Sequence, residues 1–209
     1  EEVARDCAAG ACLVRTEGSK CPEVTLNFRA AAVRRYKLMQ IEDLVTAAKP
    51  KTLELDFDRW PQLFDEATPI AERQAIVGDW LRQVRRSIPG VRLGLRVESR
   101  IAHRAAAGID LREIARAGLA DYAIIAMPYF WDPQPETEIE PAASPIPLYF
   151  EVTQETGAPP ADKKLLESFG LTGSERYVEQ LSTARRLVTG ANLAWRRGFY
   201  GLAMFNMQY

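Results

Sequence analysis

Between successive strand-like runs of this chain lies a helix-like segment or a long loop. Parallel strands need a crossover of a dozen residues or more, most often a helix, whereas antiparallel pairs can be joined by a tight turn. The alternation therefore selects an α/β architecture, a parallel sheet with crossover helices. Six runs qualify as strands: Val24–Phe28, Leu53–Phe57, Val91–Val97, Asp121–Met127, Ile146–Val152 and Tyr200–Asn206. The run Tyr-Ala-Ile-Ile-Ala-Met within the fourth is nearly all apolar, the mark of a strand buried on both faces.

The intervening segments carry helix signals. Over 31–48, Val33, Leu38, Ile41, Leu44 and Val45 recur at helical intervals, with Arg34, Arg35 and Lys37 off that face. Lys49-Pro50 closes this helix. Thr68 is placed to cap a second one, with Pro69 in its first turn and Ile76, Trp80, Leu81 and Val84 along it to about Ser87. Asp110 caps a short helix over 111–117, which Gly118 terminates. Residues 132–145 and 153–173 read as loops, and Ser174 opens a long helix to about Arg197. Residues 1–22 read as irregular structure or a short helix.

At 209 residues, 47% of them hydrophobic, the chain suits one domain with a real core. A net charge of −1 argues against a nucleic-acid binder that relies on neutralising phosphates. No apolar run approaches the roughly 20 residues that span a bilayer. The opening Glu1-Glu2 without Met suggests a processed, trimmed or partial chain. Cys7, Cys12 and Cys21 all fall in the first tenth of the sequence. A disulfide among them would imply an oxidising compartment and a secreted protein, and their spacing fits no zinc pattern. The division that results is a cysteine-containing lead-in, 1–22, followed by one domain, 23–209.

The chemistry concentrates in Leu53-Glu54-Leu55-Asp56-Phe57-Asp58-Arg59-Trp60. Side chains in a strand repeat every two residues, so Leu53, Leu55 and Phe57 share one side and three acids the other. Such a row is either a solvated edge or the inner face of a strand that carries acids to a pocket. No Gly-rich phosphate loop follows the first strand, so a nucleotide-binding doubly wound fold has no positive support.

Several segments resemble a group of bacterial glycoside-hydrolase-like TIM barrels, distantly like family 10 glycosyl hydrolases. These are Leu26-Asn27-Phe28, then Val33-Arg34 with Tyr36-Lys37-Leu38, then Leu53-Glu54-Leu55-Asp56-Phe57-Asp58-Arg59. Leu95-Arg96-Val97, Gly108-Ile109-Asp110-Leu111, Gly118-Leu119-Ala120-Asp121-Tyr122 and Gly201-Leu202-Ala203-Met204-Phe205-Asn206 come next in order, so the resemblance covers 24–209. It implies a (β/α)8 barrel, here partial with about six β/α units, its third to eighth strands. Two more would lie upstream, in further segments of a longer chain. It also implies an oligosaccharide or polysaccharide partner, no cofactor and no metal.

In such a barrel the C-terminal ends of the strands face the pocket. Glycosidic hydrolysis needs two carboxyl groups about the scissile bond. Asp56 is the first of them, matching the Asp of the family's Glu-Leu-Asp-Phe segment, and Glu151 and Glu98 are the candidates for the second. In relatives the acid after strand seven comes nearer Thr153 to Glu155, a departure in this chain. Asp58, Arg59, Arg96, Tyr129, Trp131 and Asn206 are the candidate substrate contacts, the aromatics by stacking on sugar rings. Alternatively, Asp56 is a buried acid paired with Arg59 or Arg96, in a non-catalytic glycan-binding or structural module of a larger extracellular assembly. His103, the only histidine, reads as a solvated loop residue, and no nucleophile elbow supports a Ser-His-Asp triad.

Overall fold

The computed structural model describes residues 13–15, 24–58, 62–126, 139–153, 188 and 190–205. Five strands, β3 (Thr52–Asp56), β4 (Arg92–Glu98), β5 (Tyr122–Ala126), β6 (Leu148–Thr153) and β7 (Gly201–Phe205), form one sheet. Every pairing is parallel and the strands lie side by side in chain order, without a reversal. Helices α1 (Ala31–Ala48), α2 (Ile70–Ser87), α3 (Ile101–Ala106) and α4 (Leu111–Arg116) lie in the connections, and residues 190–196 are helical before β7.

The first expected strand is not part of this sheet. β2 (Val24–Leu26) pairs antiparallel with β1 (Leu13–Arg15), a strand in a stretch expected to be irregular or helical. Bonds at and just after β2 account for the difference. Asn27 Oδ1 accepts the Arg29 amide at 2.9 Å, an Asx turn that ends the strand. Thr25 Oγ1 donates to Gln62 O at 2.6 Å and the Phe28 amide to Leu63 O at 2.7 Å, so this segment runs along the loop after β3. The parallel sheet has five strands among the described residues, one fewer than expected.

α1 spans the expected residues and stops at Lys49, whose φ of 46° is left-handed. α2 starts at Ile70, but Thr68 does not cap it: its hydroxyl donates to Asp65 Oδ1 at 2.9 Å. Arg73 instead gathers the loop carbonyls of Thr68, Asp65, Glu66 and Ala106 at 2.7–3.1 Å. Asp110 caps α4 as expected, accepting the Glu113 amide at 2.9 Å. α3 corrects the placement of His103, which stands on a helix rather than in a loop.

Strand periodicity gives the sheet two unlike faces. Leu93, Leu95, Val97, Ala123, Ile125, Leu148, Phe150 and Val152 form an aliphatic face in one core with Val77, Trp80, Leu81 and Val84 of α2. Burying each large side chain of that kind contributes about 1.5–3 kcal/mol. Phe28 meets Trp80 edge-on at 5.0 Å, which ties the β2 segment to α2. The other face presents Glu54, Asp56, Arg96, Glu98, Tyr122, Tyr149 and Glu151, interleaved with Gly94 and Gly201.

Candidate active site

β3 ends at Asp56, and the chain leaves the sheet there by local bonds. The Phe57 amide donates to Arg96 O at 2.8 Å, and the Asp58 amide donates to Asp56 Oδ1 at 2.9 Å. A short acidic side chain that takes the amide two residues on is a turn former. It brings Asp58 back beside the carboxylate that precedes it.

Arg96, paired in register with Asp56 on β4, holds the acids together. Its Nη1 donates to Asp56 at 3.0 Å to either oxygen and lies 3.1 Å from Asp58 Oδ2. Its Nε and Nη2 donate to Glu151 Oε2 and Oε1 at 2.5 and 2.8 Å, the parallel fork of guanidinium on carboxylate. Glu151 stands on β6 and so reaches Arg96 across β5. The side chains of Arg96, Asp58 and Glu151 are 5%, 3% and 1% exposed, whereas that of Asp56 is 36% exposed. Asp56 is thus the member of the cluster that solvent, or a ligand, can reach.

Burial pushes the Asp58 carboxyl up to about 7; Arg96 opposes the shift, and the charges of Glu98, Glu151 and Asp56 add to it. Burial alone would lower the Arg96 guanidinium, but its bonds to Glu151 and the charges of Glu151, Asp58 and Asp56 raise it above the usual arginine range. A protonated guanidinium facing several acids, with one carboxyl holding a proton near neutrality, provides both an ionised and an acidic oxygen in one place.

Glu98 ends β4 on the same face and is 5% exposed. Its Oε1 accepts from Arg100 Nε at 3.1 Å and its Oε2 lies 3.5 Å from His103 Nδ1. Arg104, fully enclosed, donates to the Glu98 carbonyl at 2.6 Å and so fixes the end of the strand from α3. Among the expected site residues, Asp56, Asp58, Arg96 and Glu151 therefore form one bonded cluster, with Glu98 beside it. Arg59, Trp60, Tyr129, Trp131 and Asn206 lie outside the described residues.

A row of tyrosines on this face was not expected from sequence. Tyr122 and Tyr149 meet edge-on at 5.8 Å, and Tyr149 and Tyr200 at 5.4 Å. The row lies over glycines: a Cβ on Gly94 would fall 2.1 Å from the Tyr122 ring. Tyr122 donates to Glu54 Oε2 at 3.3 Å, and burial raises both groups, the phenol to about 12. Gly94 inside an apolar strand was the available signal, since a strand glycine marks close approach of another group. Among the described residues no group of three or more His, Cys, Asp or Glu is arranged to hold a metal, and no helix is long and apolar enough to cross a membrane.

The parallel sheet and its helices define an α/β protein with a glycoside-hydrolase-like fold. A similar solved structure is that of the glycoside hydrolase domain of PelA from Pseudomonas aeruginosa. The likeness covers 100% of this chain and 74% of that one, at a TM-score of 0.55 and 15% sequence identity. No protein-family model and no curated protein matches the sequence.

Proposed function

We propose that the protein acts on an oligosaccharide or polysaccharide and hydrolyses its glycosidic bonds with a pair of carboxyl groups. The observation that carries this reading is the half-open Asp56 carboxylate at the C-terminal end of a parallel strand, bonded to an enclosed arginine and surrounded by further acids. Catalytic residues of barrel enzymes stand at that end of the strands. Strand order without reversal supports a (β/α)8 barrel, of which these strands form a part. The fold shared with a glycoside hydrolase domain supports the substrate class.

In this reading Asp56 meets the sugar at the reacting carbon, and Arg96 holds it in place. Glu151, 1% exposed and forked to Arg96, is better suited to fixing the arginine than to meeting a substrate. Glu98 remains as the second carboxyl: its partners Arg100 and His103 have side chains 50% and 47% exposed, so this side of the cluster reaches solvent. Arg59, Tyr129, Trp131 and Asn206 supply the remaining sugar contacts. The protein is secreted, with a disulfide between two of the three cysteines of the 1–22 lead-in, and domain 23–209 is joined to that lead-in by the β1–β2 ribbon.

A second reading, a glycan-binding or structural module without catalysis, draws on the same salt bridges, because acids so fully engaged by one arginine can serve stability alone. Assays of Asp56→Asn, Glu98→Gln and Glu151→Gln separate the two. Hydrolysis predicts that Asp56→Asn and Glu98→Gln stay folded and lose about 10²–10⁴-fold in rate. A module predicts that the wild type binds glycan and cleaves none.

A further inference from the structure

Asp58 has no task in the proposed hydrolysis, yet it is placed more pointedly than any other acid of the cluster. Its side chain is 3% exposed, and its Oδ1 is enclosed and accepts no hydrogen bond. Its Oδ2 contacts Arg96 Nη1 at 3.1 Å, the same nitrogen that bonds Asp56. Nε and Nη2 of that arginine are engaged by Glu151 from β6. One guanidinium thus faces three carboxyl groups, and Glu98 of β4 adds a further negative charge with its own partners, Arg100 and His103.

Not all of these groups can stay ionised without strong mutual repulsion, and a proton will settle where the charged form is supported least. Asp56 accepts from both Arg96 and the Asp58 amide. Glu151 accepts two charge-assisted bonds. Asp58 is enclosed, shares its single arginine nitrogen and leaves one oxygen without a donor. We infer that Asp58 is a positioning residue that carries the exchangeable proton of this cluster, and that its neutral form cedes the Arg96 guanidinium to Asp56 and Glu151. Its effect on hydrolysis rests on the proposed hydrolase activity; its proton does not.

The upward shift of this carboxyl to about 7, caused first by burial, agrees with that assignment. When Asp58 loses its proton, a second full charge competes for Nη1 beside Asp56. The arrangement is then less favourable to an incoming sugar ring, and the site works best on the acid side of neutrality. Asn in place of Asp58 imitates the neutral form in shape and charge, so it keeps the site assembled at every pH.

The test is a carbon-detected carboxyl titration of the full chain, wild type and Asp58→Asn, alongside a pH profile of hydrolysis on a panel of purified polysaccharides. The expected result is one aspartate carboxyl carbon titrating near pH 7 that is absent from Asp58→Asn. Hydrolysis by the wild type should fall about tenfold per pH unit above that midpoint, and the variant should lack the fall. Absence of any aspartate titrating above about pH 5, or its persistence in Asp58→Asn, overturns the assignment. A variant that hydrolyses with the wild-type pH profile also overturns it. If the variant does not fold, Glu98→Gln keeps Asp58 and should lower its midpoint, and an unmoved midpoint counts against the proposal. A wild type that cleaves nothing sinks the hydrolase reading, while the carbon titration still decides where the proton resides.

Discussion

Arg96 stabilises this protein only together with the acids around it. Removing one member of a buried ion pair typically costs about 3–5 kcal/mol, because the other is left charged and unpaired. Arg96→Met should therefore lower the unfolding free energy by about that much in a urea titration, since Glu151 and Asp58 lose their shared counter-charge. The exposed pair Arg82–Asp79, with side chains 44% and 71% exposed, provides the contrast: Arg82→Met should change stability by less than about 1 kcal/mol. Asp58 adds a pH dependence whose sign follows from its shift. Its folded carboxyl titrates at about 7, above the ordinary value of 3.8, so the folded state holds the proton more tightly. The stability this gives is fully present below about pH 4 and is lost as the pH rises through about 7, a difference of a few kcal/mol at most. Asp58→Asn should thus melt close to the wild type below about pH 4 and progressively above it as the pH rises through about 7.

At the scale of the elements, β4 and β5 fit because Gly94 leaves room for the Tyr122 ring. Gly94→Ala should destabilise by about 1–3 kcal/mol through overpacking, and most of that loss should vanish in a Tyr122→Ala background. Additive effects in that double-mutant cycle, read by denaturant unfolding, would contradict the contact. The same elements show what could be read from the chain. The apolar run of β5 and the cap of α4 were legible, because burial on both faces and capping chemistry leave direct local marks. The partner of β2 was not, because an apolar alternation carries no record of whether a sheet edge or a loop lies beside it. α3 was missed for a related reason: Ile101-Ala102-His103-Arg104-Ala105-Ala106 is short and is held in place by Arg104 bonding the Glu98 carbonyl, a tertiary contact. In the site, period-two spacing placed Glu54 and Asp56 on one face. Only the fold could show that Arg96 ties β3 to β6 and that Asp58 turns back beside Asp56.

For the molecule as a whole, a sheet that proceeds in chain order with helices on its aliphatic face leaves its polar face for chemistry. Every acid argued to act lies towards the C-terminal end of a strand or just beyond it: Asp56 and Asp58 at β3, Glu98 at β4, Glu151 in the second half of β6. The hydrolysis proposed above rests on these acids, and the fold they stand on is the one shared with a glycoside hydrolase domain. The most direct test is the release of new reducing ends from a panel of purified polysaccharides by the wild type and by Asp56→Asn. If Asp56 is catalytic, at least one polysaccharide is cut by the wild type, and Asp56→Asn cuts it about 10³-fold more slowly with an unchanged circular dichroism spectrum. Equal rates from the two proteins, or no new reducing ends on any polysaccharide, would contradict that role.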